Sequence, residues 1–247
     1  MLRFTVIIIA CFTALTSNIS HAHNTSLTHV KVCGDAIDWP PYTYVIDEQT
    51  LGYDIEILDE ALMKNGISYD ITMTSWSRCL RGTKMGEFDL AVSSSYNTAR
   101  DRDYLYTEWY YSITPYYIYS LDRFPQGLTI SDVKELTDYK VCGNHGYNYT
   151  DFNLNNIIRA GNSVKDALDM LERGSCEVYL NWVEIIDGIK SVWGIDYIQD
   201  NLVAEVVPNM RPHKFYMLIS KKFPAKAELK ATLDPYLTSM QAKHSAQ

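Results

Sequence analysis

The sequence is short of positive charge, and beyond residue 15 it has no apolar run long enough to span a membrane. Its 247 residues carry 22 Lys and Arg against 30 Asp and Glu, a formal net charge of −8. That balance excludes the basic surface with which proteins bind nucleic acid or anionic membranes. Charged residues make up 21% and hydrophobic residues 47%, which excludes a globally disordered chain and indicates a globular protein with a substantial core.

Motifs of the common enzyme classes are also missing. The chain contains no G-x-S-x-G, H-E-x-x-H, G-x-G-x-x-G or P-loop lysine motif, which argues against the usual hydrolases, zinc proteases and nucleotide-binding enzymes. It has no C-x-x-C pair, so neither a zinc ribbon nor a thioredoxin-type site is supported. We therefore expect a protein that is not an enzyme and that holds no metal or other cofactor.

The N-terminal residues have the layout of a secretory signal peptide. Arg3 gives a basic start, residues 4–15 form an apolar run too short to span a bilayer, and small residues precede a cleavage site after Ala22. We predict that residues 1–22 are a signal peptide and that the remaining chain is exported. A lipoprotein signal ending at Cys11 is the alternative, although it would leave a shorter apolar region.

The sequence contains a weak internal repeat. The pentapeptides at residues 31–35 (KVCGD) and 140–144 (KVCGN) each close a short apolar run, as a buried strand would. Each is followed by a helical pattern and by another strand-like segment, at residues 86–93 and 174–181. Alternating strands and helices predict parallel α/β sheets, so the repeat indicates an α/β fold with two similar lobes.

The cysteines divide evenly between the two halves of the repeat. Four remain after removal of the predicted signal peptide, and an even number in an exported protein favours disulfides. Four cysteines allow three pairings, of which we favour Cys33 with Cys79 and Cys142 with Cys176, one in each lobe. Buried free thiols are the alternative.

Two extended segments are predicted to connect the lobes. Residues 113–120 leave the first lobe, and residues 203–207 return to it before the final helix, which is expected to break or kink at Pro235. Seven of the 19 tyrosines lie between residues 104 and 119, so most of the tyrosine excess is expected to serve packing and the hinge. The expected lobes are residues 23–115 with 208–247, and residues 116–207. The cleft between two hinged lobes is the natural ligand site.

Five motifs carry a resemblance to a known family. They are WPPY at residues 39–42, GYDIE at 52–56, GEFDL at 86–90, NTAR at 97–100 and YLYTEW at 104–109. In this order and spacing, the chain resembles the periplasmic solute-binding proteins of polar amino acid uptake, family 3 of the extracellular solute-binding proteins. The resemblance implies a two-lobed α/β periplasmic-binding-protein fold of type II, with two hinge crossings. It also implies a periplasmic monomer that closes on a small ligand and docks on an inner-membrane ABC permease.

The resemblance implies a carboxylate-binding site at the end of one strand. Arg100 matches the arginine with which the family grips the ligand α-carboxylate, and a guanidinium can hold a carboxylate through two hydrogen bonds. Thr98 precedes this arginine by two residues rather than the three of the family pattern. That departure leaves open which hydroxyl among Ser93, Ser94 and Ser95 faces the cleft. The alternative is a surface arginine paired with neighbouring aspartates.

Other cleft residues follow from the same resemblance. Trp39 and Trp76 match positions whose aromatic rings stack on the ligand side chain, and Asp35 could bind a ligand ammonium group. Tyr147 stands where the family usually has a threonine, and Asn181 where it often has an aspartate for the ligand amino group. Asparagine supplies no countercharge, so we expect a small carboxylate-bearing solute that is either an amino acid or a derivative. Core positions for the two indoles and an exposed turn for Asp35 are the alternatives.

Two further functions are compatible with this fold by resemblance. Some relatives are periplasmic dehydratases of small cyclic carboxylates, for which Asp35, Glu184 or His145 would have to supply the acid or base. A ligand-sensing module that acts on a membrane receptor is the other alternative.

Overall fold

The computed structural model describes residues 27–199 and 201–244, except for the side chains of residues 242–244. The predicted signal peptide, residues 1–22, lies outside the described residues. Among the helices that are described, none combines the length and the hydrophobicity needed to cross a membrane.

The strands and helices are numbered along the chain. The strands are β1 (His29–Asp35), β2 (Tyr44–Ile46), β3 (Gln49–Leu51), β4 (Ser68–Thr74), β5 (Leu90–Ser95), β6 (Tyr104–Tyr106), β7 (Tyr111–Ile113), β8 (Pro115–Ser120), β9 (Val141–Asn144), β10 (Ile158–Ala160), β11 (Val178–Trp182), β12 (Leu202–Val206) and β13 (His213–Ser220). The α-helices are α1 (Tyr53–Ala61), α2 (Trp76–Met85), α3 (Val164–Glu172), α4 (Val183–Trp193) and α5 (Lys226–His244). Short 3₁₀ helices cover Met63–Asn65, Thr98–Arg100, Val133–Asp138 and Thr150–Phe152.

The strands form two mixed sheets of similar design, beside a small β2–β3 hairpin. In the first sheet the strand order is β4-β1-β5-β13-β6, with β7 also paired to β13, and β1 is parallel to both β4 and β5. In the second sheet the order is β10-β9-β11-β8-β12, and β9 is parallel to both β10 and β11. The two pentapeptides of the repeat lie on β1 and β9, which hold corresponding places in their sheets. The α/β prediction is therefore confirmed.

Helix ends follow the local chemistry of the sequence. At the start of α3, Ser163 Oγ accepts from the Asp166 backbone N–H at 3.1 Å, and the Asp166 carboxylate accepts from the Ser163 N–H at 3.0 Å. This reciprocal pair is a capping box, which satisfies donors that a helix start leaves free. At the other end of a helix, α2 stops at Gly86, whose φ of 84° is readily adopted only by glycine.

The final helix, α5, runs through Pro235 without a break, so the predicted break is wrong, whereas the alternative of a kink stays a prediction. Leu229, Leu233 and Leu237 recur at four-residue intervals and are fully buried. They lie on a helix that packs against α1, β7 and β13. We infer that burial of these side chains offsets the hydrogen bond that proline removes from the helix.

The chain passes between the sheets at Thr114 and again between β12 and β13. The single strand predicted over residues 113–120 is divided, because Ile113 ends β7 in the first sheet and Pro115 begins β8 in the second. The Thr114 N–H and hydroxyl both donate to the Glu184 carboxylate, at 2.7 and 2.9 Å. The Glu184 carboxylate therefore binds the Thr114 N–H, which could otherwise extend a sheet. The same two bonds attach Thr114, the residue at which the chain crosses, to α4.

Both favoured disulfides are confirmed. Cys33–Cys79 joins β1 to the first turns of α2, and Cys142–Cys176 joins β9 to the segment before β11. All four side chains are buried. Because β1 ends at Asp35 and α2 begins at Trp76, the first disulfide holds together two elements that carry predicted cleft residues.

Candidate functional site

A cavity of about 70 Å³ lies between the two sheets. On the side of the first sheet it is lined by Asp35, Trp39, Thr43, Trp76, Ser93, Ser95 and Arg100, among others. On the side of the second sheet it is lined by Gly146, Tyr147, Asn148 and Trp182. The structure thus brings together the predicted cleft residues, with two exceptions described below. What these side chains bind stays a prediction.

Arg100 reaches the cavity from a short helical turn that follows β5. The Asn97 side chain caps this turn by accepting from the Ala99 N–H at 2.9 Å. The guanidinium Nη1 donates to Ser94 Oγ and to the Ser95 carbonyl oxygen, both at 3.0 Å. These bonds fix the side chain while leaving other guanidinium N–H groups available, and burial lowers the Arg100 pKa from its usual value. A cation held in this way suits a small anion.

The alternative of a surface ion pair for Arg100 is wrong. Asp103 instead pairs with Lys84 at 2.8 Å, and the Asp101 carboxylate accepts from the Tyr96 hydroxyl at 2.7 Å. The Arg100 guanidinium lies beside aromatic side chains: it is 5.7 Å from the centroid of the Trp76 ring, and it also interacts with Tyr106.

The three consecutive serines of β5 have different positions. Ser93 and Ser95 line the cavity, whereas Ser94 is fully buried and does not. This alternation is that of a strand, in which successive side chains point to opposite faces. Ser94 is the first exception among the predicted cleft residues, and the structure places its hydroxyl beneath Arg100 as a support.

The aromatic wall of the cavity draws side chains from both sheets. The Trp39 ring lies 4.8 Å from Tyr147, 5.9 Å from Trp182 and 5.8 Å from Phe215, measured between centroids. Its Nε1–H donates to Tyr111 Oη at 3.1 Å, which fixes the indole in place. Trp39 is therefore half-buried at the cavity and is not a core residue remote from it.

Asn181 is the second exception, and its predicted position in the cleft is wrong. Its side chain is fully buried, where Oδ1 accepts from the Trp182 N–H at 2.7 Å and Nδ2 donates to Tyr179 Oη. The next residue along β11, Trp182, lines the cavity instead. Because side chains alternate along a strand, an error of one residue moves the assignment to the opposite face. An indole thus stands where a polar side chain was expected.

Asp35 is the only carboxylate among the described lining residues. It ends β1, is half-buried and accepts from the Ile37 N–H at 3.3 Å, so it is not the exposed turn residue of the alternative. Burial raises the pKa of Asp35. Burial is also the main cause that raises the pKa of Tyr147, and the charge of Asp35 raises it further. An acid from the first sheet and a tyrosine from the second therefore interact across the cavity.

A buried carboxylate that sequence reasoning missed lies behind the cavity wall. Asp54 is fully buried and accepts from the hydroxyls of Thr43, Ser93 and Tyr110. Burial raises its pKa to about 6, although the three hydroxyl donors act in the opposite direction. A sequence signal for it exists, because Asp54 stands on the apolar face of α1 in register with Ile57, Leu58 and Ala61.

The acids and bases considered for a dehydratase are not gathered in the cavity. His145 is exposed, and Glu184 is engaged by Thr114 at the crossing, so of the three candidates only Asp35 lines the cavity. Within residues 27–199 and 201–244, no group of three or more His, Cys, Asp or Glu side chains is arranged to hold a metal ion.

Two similar α/β lobes that enclose a cavity, with the chain crossing twice between them, define a two-lobed periplasmic binding protein of type II fold. The chain belongs to the bacterial extracellular solute-binding proteins, family 3, whose family model matches residues 31–247.

Three proteins illustrate the likeness. A probable histidine-binding protein of Campylobacter jejuni subsp. jejuni is 30% identical over 106 residues, which are 42% of this chain and 41% of that relative, so the match spans less than half of either protein. The fold is shared with a histidine kinase sensor domain similar to periplasmic binding proteins, at a TM-score of 0.68 and 18% identity over 88% of this chain and 93% of that one. An ABC uptake transporter substrate-binding protein from Streptococcus pneumoniae with bound histidine gives a TM-score of 0.66 and 16% identity, over 87% of each chain.

Proposed function

We propose that this protein captures a small solute bearing a carboxylate, an amino acid or a derivative of one, and delivers it to an ABC transporter. The observation that carries the proposal is Arg100, a cation fixed by uncharged partners at the wall of a cavity between two lobes. A half-buried cation without an ion-pair partner loses part of its hydration, and an anionic ligand would compensate that loss. The Campylobacter relative named for histidine binding supports an amino acid as the solute.

We further propose that the protein works in the periplasm as a monomer, after removal of residues 1–22. The two disulfides support this location, because such bonds persist in oxidising compartments. The partners would then be the solute and an inner-membrane permease. Sensing through a membrane receptor is the second candidate, favoured by the likeness to a sensor domain. Turnover of a cyclic carboxylate has less support, because Glu184 and His145, two of the three residues considered for its acid and base, do not line the cavity, although His213 does.

The proposed lobes, residues 23–115 with 208–247 and residues 116–207, would separate to admit the solute. Two hydrogen bonds link the proposed lobes across the cavity, and such an opening would break them. Asn148 Nδ2 donates to Ser95 Oγ at 3.0 Å, and Trp182 Nε1 donates to His213 Nδ1 at 3.1 Å. These bonds support a closed arrangement of the lobes, which a ligand contacting both sides would select.

A thermal-shift screen of the protein without residues 1–22 tests the proposal. We expect L-histidine, L-arginine or another amino acid or organic acid to raise the melting temperature in proportion to the logarithm of its concentration. Mass spectrometry of the mixture should recover the ligand unchanged, and turnover would favour the dehydratase. Loss of uptake on deletion of the gene, with the response to the solute retained, would separate transport from sensing. Stabilisation by none of these compounds would contradict the proposed solute class.

Closure of the lobes predicts a specific effect of a substitution on α4. A Cβ at Gly188 would overlap the backbone carbonyl of Pro40, which belongs to the other lobe. Gly188→Ala should therefore lower the affinity for the solute at least about tenfold by opposing closure. Because alanine favours a helix more than glycine does, the melting temperature of the ligand-free protein should stay equal or rise.

The matched control is Asp187→Ala, which changes the neighbouring exposed residue of the same helix. It should leave the affinity measured by calorimetry unchanged. Equal affinities for Gly188→Ala and the unaltered protein would show that binding does not require the close approach of α4 to Pro40.

A further inference from the structure

His213 forms a hydrogen bond beside the place where the chain crosses between the sheets. It begins β13, where it pairs with Ile113 at the end of β7. Trp182 ends β11, where it pairs with Pro115 at the start of β8. The crossing residue Thr114 stands between these two partners in the chain. The bond of 3.1 Å from Trp182 Nε1 to His213 Nδ1 therefore joins the two sheets next to the first crossing.

This bond fixes the protonation state of the His213 ring. An indole can only donate, so Nδ1 of His213 is an accepting nitrogen without a hydrogen. The hydrogen of the neutral imidazole is then on Nε2. Among residues 27–199 and 201–244, this buried Nε2 has no hydrogen-bond partner. The Asp151 carboxylate lies 3.7 Å from it, which is beyond hydrogen-bond distance.

The surroundings of His213 favour the neutral ring. Its side chain is only 9% exposed. Phe152 and Trp182 of the second lobe contact it at steep angles, with centroid distances of 5.6 and 5.9 Å. Burial lowers the pKa of His213 from its usual value, and the charge of Asp151 offsets a part of this effect. Separation of the lobes would remove these contacts and return water to the ring.

The second lobe and the cavity bring few charges to His213. Asp151, in the short helical turn Thr150–Phe152, is the group whose charge acts on its pKa. The Asp151 side chain is 65% exposed, so water weakens its attraction for a protonated ring. Asp35 and Arg100 line the same cavity as His213, and they carry opposite charges.

On the side of the first lobe, charged side chains are directed away from the ring or are exposed. Ile113, the partner of His213 in β7, is apolar. Lys214 is the next residue of β13, so its side chain points to the opposite face of the strand. Its Nζ lies 4.6 Å from the centroid of the Trp109 ring. Arg211 is exposed, and solvent screens its charge.

Protonation of His213 would place two N–H donors against each other. Nδ1 could no longer accept from Trp182 Nε1, although the two nitrogens lie 3.1 Å apart. The two rings would have to separate, and the indole lines the cavity. Because closure buries the ring, the open protein binds the proton more readily than the closed protein does. By linkage, protons therefore favour the open arrangement.

We propose that His213 is a positioning residue that holds Trp182 in the cavity wall, and with it the closed arrangement of the lobes, only while its imidazole is neutral. Acidification would then release the solute. This inference rests on the proposed function and adds a pH control to it. The affinity should be highest above about pH 6.5, the ordinary pKa of a histidine, and should decrease as the pH falls below that value.

The test measures how much the affinity falls between pH 8.0 and pH 5.0, in the unaltered protein and in His213→Asn. Calorimetry is carried out with L-arginine, L-glutamine and L-histidine, and the best-bound of the three is used. Asparagine offers Trp182 an acceptor in place of Nδ1 and does not titrate. The titration of Asp54 or of L-histidine itself is common to both proteins and cancels when the two are compared.

The loss of affinity on acidification should be at least about fivefold larger in the unaltered protein than in His213→Asn. The reason is that protonation replaces a hydrogen bond with two opposed donors. His213→Phe removes the acceptor as well as the titration. Its affinity at pH 8.0 should therefore be at least about fivefold below that of His213→Asn.

Two variants of exposed acids make the test specific. Asp151→Asn removes the charge that partly stabilises a protonated His213, so the loss on acidification should grow about twofold or more. Glu172→Gln, at the end of α3, is the matched control and should show the same loss as the unaltered protein. Because Asp151 is exposed, Asp151→Asn decides the proposal if His213→Asn does not fold.

The outcomes separate this inference from the proposed function. Equal losses in the unaltered protein and in His213→Asn would overturn the inference and leave solute capture at pH 8.0 intact. A loss in Asp151→Asn no larger than that of the unaltered protein would also overturn it. Binding of none of the three compounds at either pH would overturn the proposed function and the inference with it.

Discussion

Replacing Arg100 with alanine is expected to weaken binding of the solute by at least about 100-fold and to leave the fold intact. Each hydrogen bond from a guanidinium to a carboxylate contributes roughly 1.5–3 kcal/mol, and the variant would lose two of them. Ser94 and Ser95 already fix the Arg100 side chain, so little rotamer freedom is left to lose on binding. The fold should survive because Arg100 forms no ion pair with Asp101 or Asp103, which have other partners.

Calorimetry with the amino acid that gives the largest thermal shift measures this effect. Arg100→Lys should fall between the unaltered protein and Arg100→Ala, because an ammonium keeps the charge and loses the planar pair of donors. Arg102→Ala, a nearby exposed residue, is the matched control and should bind as the unaltered protein does. Unchanged affinity in Arg100→Ala would remove Arg100 from the binding site.

Much of the fold was predictable because the signals that encode it are local. The pentapeptides at residues 31–35 and 140–144 mark equivalent strands, and the capping box at Ser163 marks the start of a helix. The disulfides followed from the repeat, since two cysteines fall in each half. Pro235 misled the prediction, because the burial that maintains α5 comes from other elements and leaves no local mark.

The site was less predictable because it depends on which face each strand residue occupies. Ser94 and Asn181 carry suitable chemistry, but alternation along β5 and β11 turns them away from the cavity. The hydrogen bonds behind the cavity wall are further out of reach, since Ser93 is bound to Asp54, which is distant in sequence. Tyr110 was expected only to pack, yet its hydroxyl joins both residues.

The two disulfides are expected to stabilise the protein similarly and to affect binding differently. With sequence separations of 46 for Cys33–Cys79 and 34 for Cys142–Cys176, loop-closure entropy assigns each about 4 kcal/mol of the free energy of unfolding. Replacing either pair with alanine should therefore lower the midpoint of denaturant unfolding strongly. The free energy of unfolding is taken from the midpoint and the slope together, because an unfolded chain without the cross-link can expand further and raise the slope.

Only the first pair should also change the affinity. Cys33 precedes Asp35 at the end of β1, and Cys79 follows Trp76 by one helical turn. This disulfide therefore sets the distance between an acid and an indole that line the cavity from two different elements. The second bond lies at the start of β9 and in the segment before β11, farther along the chain from Tyr147 and Trp182. We expect C33A/C79A to weaken solute binding at least about tenfold under conditions where both variants are folded, because a site about 1 Å looser loses preorganisation. Equal affinity losses in C33A/C79A and C142A/C176A would contradict this and would indicate that each disulfide serves its lobe as a whole.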